Sequence, residues 1–238
     1  HRLPYVKILA TSRVRLNLEG EQVFILNELP YPQEDYNLAE AENFPAVDLF
    51  LASARRINPK FLPNPDDLAA VVRICRINQG LPLGILLASA WAGALSPAQI
   101  LEEIHKSLEF LSNGWQDLPE RQRSLRATFD SSWQLLDQDL QQVFLRLAVF
   151  QGEFTASQAA QVTDSSLVQL RALVDYSMLQ HTAQAGFRLH AFLRQYASGK
   201  LASFPDIYQT VNERHCALFL ANLAAFEPRL KSLAQFEA

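Results

Sequence analysis

The chain has 238 residues, of which 49% are apolar, and a formal net charge of -4. This size and composition predict a globular protein with a sizeable core, divided into two or three compact units. The weak negative charge gives no general attraction to nucleic acid or anionic membrane, and no uncharged apolar run reaches the roughly 18 residues that cross a bilayer. Two cysteines, Cys75 and Cys216, without a Cys-x-x-Cys pair favour packing in a reducing cytosol over a disulfide framework or a zinc site. We therefore expect a cytoplasmic protein with no metal and no membrane partner.

Two short apolar segments near the start of the chain are typical of buried strands in a parallel sheet. The first covers residues 5–10 and ends in Thr11-Ser12-Arg13, and the second covers residues 21–26. Because ligands in parallel α/β folds lie beyond the carboxyl ends of the strands, we expect Arg13 to project into a binding crevice. A surface arginine that follows a strand is the alternative. The first residue is His1 rather than Met and a strand pattern follows almost at once, so we expect a fragment of a longer protein.

Residues 30–114 predict a bundle of four helices joined by short links. The clearest helix start is Asn64-Pro65, where a capping side chain precedes a proline. Gly80 is expected to end that helix, because glycine tolerates the left-handed turn after a helix, and Pro82 is expected to open the next. The run after Pro82 is apolar on nearly every side, which predicts a helix buried all round.

Residues 115–199 predict helices followed by a β-hairpin, an order typical of a winged helix. The two extended segments of the hairpin cover residues 178–182 and 187–190, with a glycine in the turn between them. The expected openings of the four preceding helices are Pro119, Asp137, Thr155 and Asp164-Ser165. Residues 200–238 predict further helix, interrupted at Pro228, without a repeat of fixed period.

Several of these segments resemble NB-ARC proteins, a class of STAND signal-transduction ATPases. Gly80-Leu81-Pro82-Leu83 resembles their GLPL motif, and the segment that ends in Thr11-Ser12-Arg13 is similar to their sensor segment. Residues 147–155 and 187–197 resemble the winged-helix part of the bacterial transcription regulators in this class. The resemblance covers residues 5–200 and keeps the order of the family.

His190 matches the histidine of the family's MHD-type motif. Leu189 and Ala191 stand where the family has Met and Asp, which weakens the motif but keeps its hydrogen-bond donor. An imidazole can bond a phosphate oxygen while neutral. The alternative is a histidine that caps the helix expected from Ala191 onward.

The resemblance implies a regulatory switch that binds ADP or ATP, with magnesium in the longer parent protein. Pro82 would pack beside the adenine, His190 would bond the β-phosphate, and Arg13 would sense the terminal phosphate of ATP. The supporting residues of this site would be Thr11, Ser12, Gly80, Leu81 and Leu83. The resemblance further implies that residues 1–29 close a phosphate-loop domain, that residues 200–238 begin a tetratricopeptide-like repeat, and that activation produces a homo-oligomer.

No enzyme chemistry is complete in the sequence. It contains neither a Gly-x-x-x-x-Gly-Lys-Ser/Thr loop nor an acidic strand end for magnesium, so we expect this chain to lack ATPase activity and leave hydrolysis to its parent. One alternative function is a nucleotide-independent interaction scaffold, and another is DNA binding by the winged helix. The expected recognition helix carries one basic residue, Arg171, offset by Asp175, and residues 115–198 hold seven Lys or Arg against eight Asp or Glu. This balance disfavours nucleic acid as a direct partner.

Overall fold

In the computed structural model, the described residues are 7–12, 16, 18–24, 26–33, 35–112, 123–182 and 186–233. They are mainly helical, which confirms the mainly α part of the expected fold class. Buried apolar side chains form one cluster that extends from Ala41 to Val211. The described helices therefore share one core.

The first group of helices contains the four that the sequence predicts for residues 30–114. They are α1 (Pro45–Ile57), α2 (Pro65–Ile77), α3 (Pro82–Ser89) and α4 (Pro97–Lys106), with short 3-10 helices at Leu38–Asn43, Ala90–Gly93 and Leu108–Phe110. Each α-helix has a proline in its first turn, where the missing N–H leaves no hydrogen bond unmade. Capping boxes start α2 and α4. Helix α3 packs on α1 and buries Ile85, Leu87 and Ala88 completely.

The second group combines five helices with a small sheet. Its elements are α5 (Leu125–Trp133), α6 (Gln138–Leu147), β1 (Glu153–Phe154), α7 (Ala156–Thr163), α8 (Leu167–Asp175), β2 (Gln180–His181), β3 (Phe187–Arg188) and α9 (Ala191–Leu201). The strands are antiparallel in the order β1-β3-β2, so Phe187 lies opposite both Phe154 and His181. The hairpin of β2 and β3 matches the sequence prediction. Strand β1 was not predicted, because two residues are too few to show an alternating pattern.

The helix starts of this group mostly follow the expected caps. Asp137 and Thr155 accept hydrogen bonds from the first turns of α6 and α7, as predicted. Helix α8 begins one residue later than expected, because Asp164 adopts a left-handed conformation (φ 58°) that ends α7, and Ser166 is the cap. The first helix of this group does not begin at Pro119 as expected: α5 starts at Leu125, because Ser124 is extended and its side chain caps the helix. Pro119 itself lies outside the described residues.

The last helix, α10 (Pro205–Leu233), is 29 residues long and packs on α7, α6 and α9. It buries Val211, and Arg214 pairs with Asp164 at the end of α7. The interruption predicted at Pro228 is wrong, since the helix continues through it; a proline within a helix removes a single backbone hydrogen bond, and the turns on either side persist. Among the described helices, none combines the length and the apolarity that crossing a bilayer requires.

The described residues of the two segments predicted as strands before residue 29 form no strand. Ile8, Leu9 and Phe24 are 87%, 98% and 85% exposed. A strand is stabilised by backbone hydrogen bonds to neighbouring strands, and the sheet of the described residues is made by β1, β2 and β3 only. An apolar sequence pattern without a partner sheet therefore leaves the described residues of these segments exposed and outside any strand.

A buried tyrosine ties α9 to α5. The Tyr196 hydroxyl donates a hydrogen bond of 2.6 Å to Asp130, and its ring packs edge-on against Phe129. Burial, followed by the bond to Asp130, raises the pKa of Tyr196 above its ordinary value. Lys200 lies 3.6 Å from Asp130 and over the rings of Trp133 and Tyr196. Two side chains of α9, Tyr196 and Lys200, thus contact the same carboxylate of α5.

We expect Tyr196→Phe to lower the free energy of unfolding by about 1 to 2 kcal/mol, because it deletes a hydrogen bond to a charged, partly exposed acceptor. The matched control is Tyr208→Phe, since Tyr208 is 52% exposed on α10. Urea unfolding of both variants measures the difference. Equal effects of the two substitutions would contradict a stabilising role for the Tyr196 hydroxyl.

Candidate functional site

The turn between α2 and α3, residues 78–81, is the centre of the candidate site. The Asn78 carbonyl accepts a hydrogen bond from the Leu81 N–H at 2.9 Å, and the two residues between them are left-handed, with φ of 49° at Gln79 and 73° at Gly80. Two consecutive positive φ values are typical of a type I′ turn. Gly80 therefore ends α2 and Pro82 opens α3, as the sequence predicts.

This α2–α3 turn lies directly against the segment before the first helices. The Leu29 N–H donates to the Gly80 carbonyl at 3.0 Å, and a Cβ atom at Gly80 would lie 2.1 Å from the Leu29 carbonyl oxygen. On the other side of the turn, a Cβ atom at Gly84 would lie 2.0 Å from Oδ1 of the fully buried Asn78. Both glycines are required by close approach of neighbouring atoms.

His190 reaches the same turn from the second group of helices. It follows β3 and caps α9: its Nδ1 accepts the Phe192 N–H at 3.2 Å. Its Nε2 lies 3.0 Å from the Asn78 carbonyl oxygen. Because Nδ1 is an acceptor, we assign the proton to Nε2, which donates to Asn78. The alternative of a helix-capping histidine is thus confirmed, together with a second bond to the α2–α3 turn.

A second hydrogen bond lies beside the first. The Gln79 Oε1 accepts the Ala191 N–H at 3.2 Å. Asn78 and Gln79 on one side therefore meet His190 and Ala191 on the other, and these four residues are the α9–turn contact. Sequence reasoning missed Asn78 and Gln79. A backbone carbonyl acceptor leaves no signature in a sequence, and the left-handed conformation of a glutamine is not indicated by its residue type.

The surroundings of His190 keep its ring neutral. His190 is only 4% exposed, and burial lowers its pKa from the ordinary value, more strongly than the Asn78 carbonyl and Glu28 raise it; Arg188 and Arg194 lower it further. Glu28 also accepts a hydrogen bond from the Gln180 side chain, which lies 3.4 Å from the Arg188 guanidinium. The residues before the first helices therefore contact both the turn and the hairpin.

The structure brings some of the predicted site residues together at the α2–α3 turn and leaves others away from His190. His190 meets the turn that contains Gly80, whereas Pro82 is exposed at the start of α3 and its neighbours Leu81 and Leu83 are half-buried. Thr11 and Ser12 are exposed, lie outside any helix or strand, and take no part in the hydrogen bonds of the His190 ring. Arg13 lies outside the described residues.

No family model matches the chain. The chain is 32% identical over 232 residues to a Mycobacterium tuberculosis protein named "Putative HTH-type transcriptional regulator Rv0890c", a match that covers 93% of this chain and 25% of the relative. The same identity and coverage hold for the Mycobacterium bovis protein "Putative HTH-type transcriptional regulator Mb0914c". A second M. tuberculosis protein, "Uncharacterized protein Rv0894", is 30% identical over 210 residues, with 84% of this chain and 51% of that protein covered. The chain spans a quarter to a half of the length of these relatives.

We expect Gly80→Ala to lower the free energy of unfolding by at least about 2 kcal/mol, because it combines an unfavourable left-handed alanine with a steric conflict at Leu29. Gly199→Ala is the matched control: Gly199 lies in α9 with no atom close to an added Cβ, so alanine should stabilise by up to about 1 kcal/mol. Thermal and urea unfolding measure both. A Gly80→Ala variant as stable as wild type would show that the α2–α3 turn has a different conformation.

Proposed function

We propose that this chain is part of a nucleotide-dependent switch within a longer transcription regulator. One observation carries the proposal: Asn78 and His190, which are 112 positions apart, meet at 3.0 Å. The NB-ARC resemblance assigns both the Gly80-Leu81-Pro82-Leu83 segment and His190 to one nucleotide, which requires them to be neighbours. The names of the mycobacterial relatives support a regulatory role for the longer protein.

The chemistry of these residues fits a nucleotide. The exposed ring of Pro82 offers an apolar surface for adenine. The neutral imidazole of His190 offers one N–H, which a phosphate oxygen would accept in place of the Asn78 carbonyl. That exchange leaves no unpaired carbonyl, because Asn78 keeps the hydrogen bond from Leu81. Arg13, Thr11 and Ser12 complete the site in this proposal, with magnesium held by the parent protein.

The exposed segments before residue 29 support a second domain in the longer protein. Ile8, Leu9 and Phe24 leave large apolar side chains in solvent, and a sheet of a phosphate-loop domain would cover them and supply backbone partners. In this proposal ATP and ADP shift the balance between a closed and an open arrangement, each by its difference in affinity for the two. Hydrolysis belongs to that domain and not to this chain.

A nucleotide-independent interaction scaffold is the second candidate. The observation that favours it is that both nitrogens of His190 already have hydrogen-bond partners within the chain. A capping bond and a bond to the α2–α3 turn are sufficient structural reasons for a histidine at this position. Nucleotide binding therefore distinguishes the two candidates.

We expect ADP to bind the longer protein that includes the predicted phosphate loop. His190→Ala should weaken this binding by about 10- to 100-fold, the value of one hydrogen bond to a charged group. Arg13→Ala should leave the affinity for ADP unchanged and lower the affinity for ATP. His105→Ala is the control, since His105 is exposed on α4. Isothermal titration calorimetry measures all four proteins, with thermal melts to verify folding. Absence of ADP binding, or equal binding by all four, would leave the scaffold as the function.

The element order α6, β1, α7, α8, β2 and β3 supports a winged helix in this proposal. Its third helix, α8, is poorly suited to DNA: at its start, Leu167 and Val168 are 64% and 78% exposed, and Arg171 is the basic residue beside them. A helix in the major groove needs several polar or basic side chains for base edges and phosphates. We therefore assign DNA contact in the longer regulator to a part other than α8.

This assignment predicts no binding of the chain to duplex DNA. Fluorescence anisotropy with a random-sequence duplex at low salt should detect no complex at micromolar protein. The comparison protein is Val168→Lys, which adds one exposed charge to α8 and should change this result little. Tight binding that weakens steeply with salt and is lost in Arg171→Ala would reverse the assignment.

A further inference from the structure

The cap at the start of α9 depends on the protonation state of one group. Nδ1 of His190 caps α9 by accepting the Phe192 N–H, and it can do so only while it carries no proton. The neighbouring bond, from the Ala191 N–H to Gln79, involves no titratable group. The start of α9 thus has one acid-sensitive bond, its cap, and one bond to the α2–α3 turn that is insensitive to acid.

Protonation of His190 would act against the start of α9 in two ways. A proton on Nδ1 would face the Phe192 N–H, so two donors would oppose each other and the cap would be lost. The added positive charge would also lie at the N-terminus of α9, where the helix dipole is itself positive. Nε2 would keep its proton and its hydrogen bond to the Asn78 carbonyl, so the bond that is lost lies in the first turn of α9.

The charged groups around His190 do not reverse this effect. Glu28, from the segment before the helices, favours the protonated ring, whereas Arg188 on β3 and Arg194 on α9 oppose it. The α2–α3 turn contributes the Asn78 carbonyl and the Gln79 side chain, neither of which titrates. A ring that is 4% exposed has little water with which to screen a new charge.

We propose that the cap of α9 is an acid-sensitive switch, in which protonation of His190 opens the first turn of α9. The inference stands on the hydrogen bonds of this chain alone and is independent of nucleotide binding.

The direction of the pH effect follows from the lowered pKa of His190. The ring binds a proton less readily while it is buried and caps α9 than when the first turn is open, where its pKa returns towards 6.5. The open state therefore gains protons as the pH falls below about 6.5, and the capped state becomes less favoured by up to about tenfold per pH unit. Above that pH the neutral ring gives the cap its full stability.

The test is hydrogen–deuterium exchange of this chain between pH 7.5 and 5.5, corrected for the intrinsic exchange rate and followed at residues 191–193. We expect wild-type protection there to fall several-fold, by no more than about tenfold per pH unit, while protection in α1 stays constant. In His190→Asn, a good helix cap that does not titrate in this range, this pH dependence should disappear. Gln79→Ala should lower protection at every pH and keep the fall.

Two controls separate His190 from the other histidines. His105→Asn changes an exposed residue of α4 and should behave as wild type. His215 on α10, whose pKa burial also lowers, is retained in His190→Asn, so a fall that persists in that variant would overturn the proposal. If His190→Asn does not fold, nitrogen NMR of the wild-type ring decides: the loss of protection must share its midpoint with the titration of His190. Different midpoints, or constant wild-type protection, would also overturn the proposal.

Discussion

The hydrogen bond from His190 Nε2 to the Asn78 carbonyl is a buried link between the two helical groups. Both partners are buried, so neither could exchange this bond for one to water. It also requires a turn of exact shape: two left-handed residues between Asn78 and Leu81 direct the carbonyl outward from the end of α2. The conformation of a four-residue turn thus sets where α9 begins.

Two distant segments of the chain and the adjacent helix α3 meet at that turn. Leu29 bonds Gly80, Gly84 leaves room for the Asn78 side chain, and Ala191 bonds Gln79. Each contact alone is worth about 1 kcal/mol, but they share one rigid segment of backbone, so that a shift in any of them moves the others. A side chain at position 80 would therefore disturb the N-terminal segment and the α9–turn contact together.

Local features of the fold could be predicted from the sequence, whereas features that depend on distant partners could not. Asn64, Ser96, Asp137 and Thr155 start helices because a cap acts on backbone groups two or three residues away. The apolar segments before residue 29 predict strands equally well, but a strand needs a sheet beside it. The pairing of His190 with the turn was expected only through the family resemblance, and its actual partner, a backbone carbonyl, carries no residue signature.

The two hydrogen bonds of His190 differ in which groups are left unpaired when each is lost. Asn78 accepts from both Leu81 and His190, so its carbonyl stays paired if His190 departs. The Phe192 N–H has His190 as its capping acceptor, and without it the first turn of α9 loses that cap. The α2–α3 turn can therefore keep its shape when the contact opens, while α9 and the hairpin before it must adjust. A ligand or proton that acts on His190 therefore acts first on the cap of α9, while the Asn78 carbonyl stays paired with Leu81.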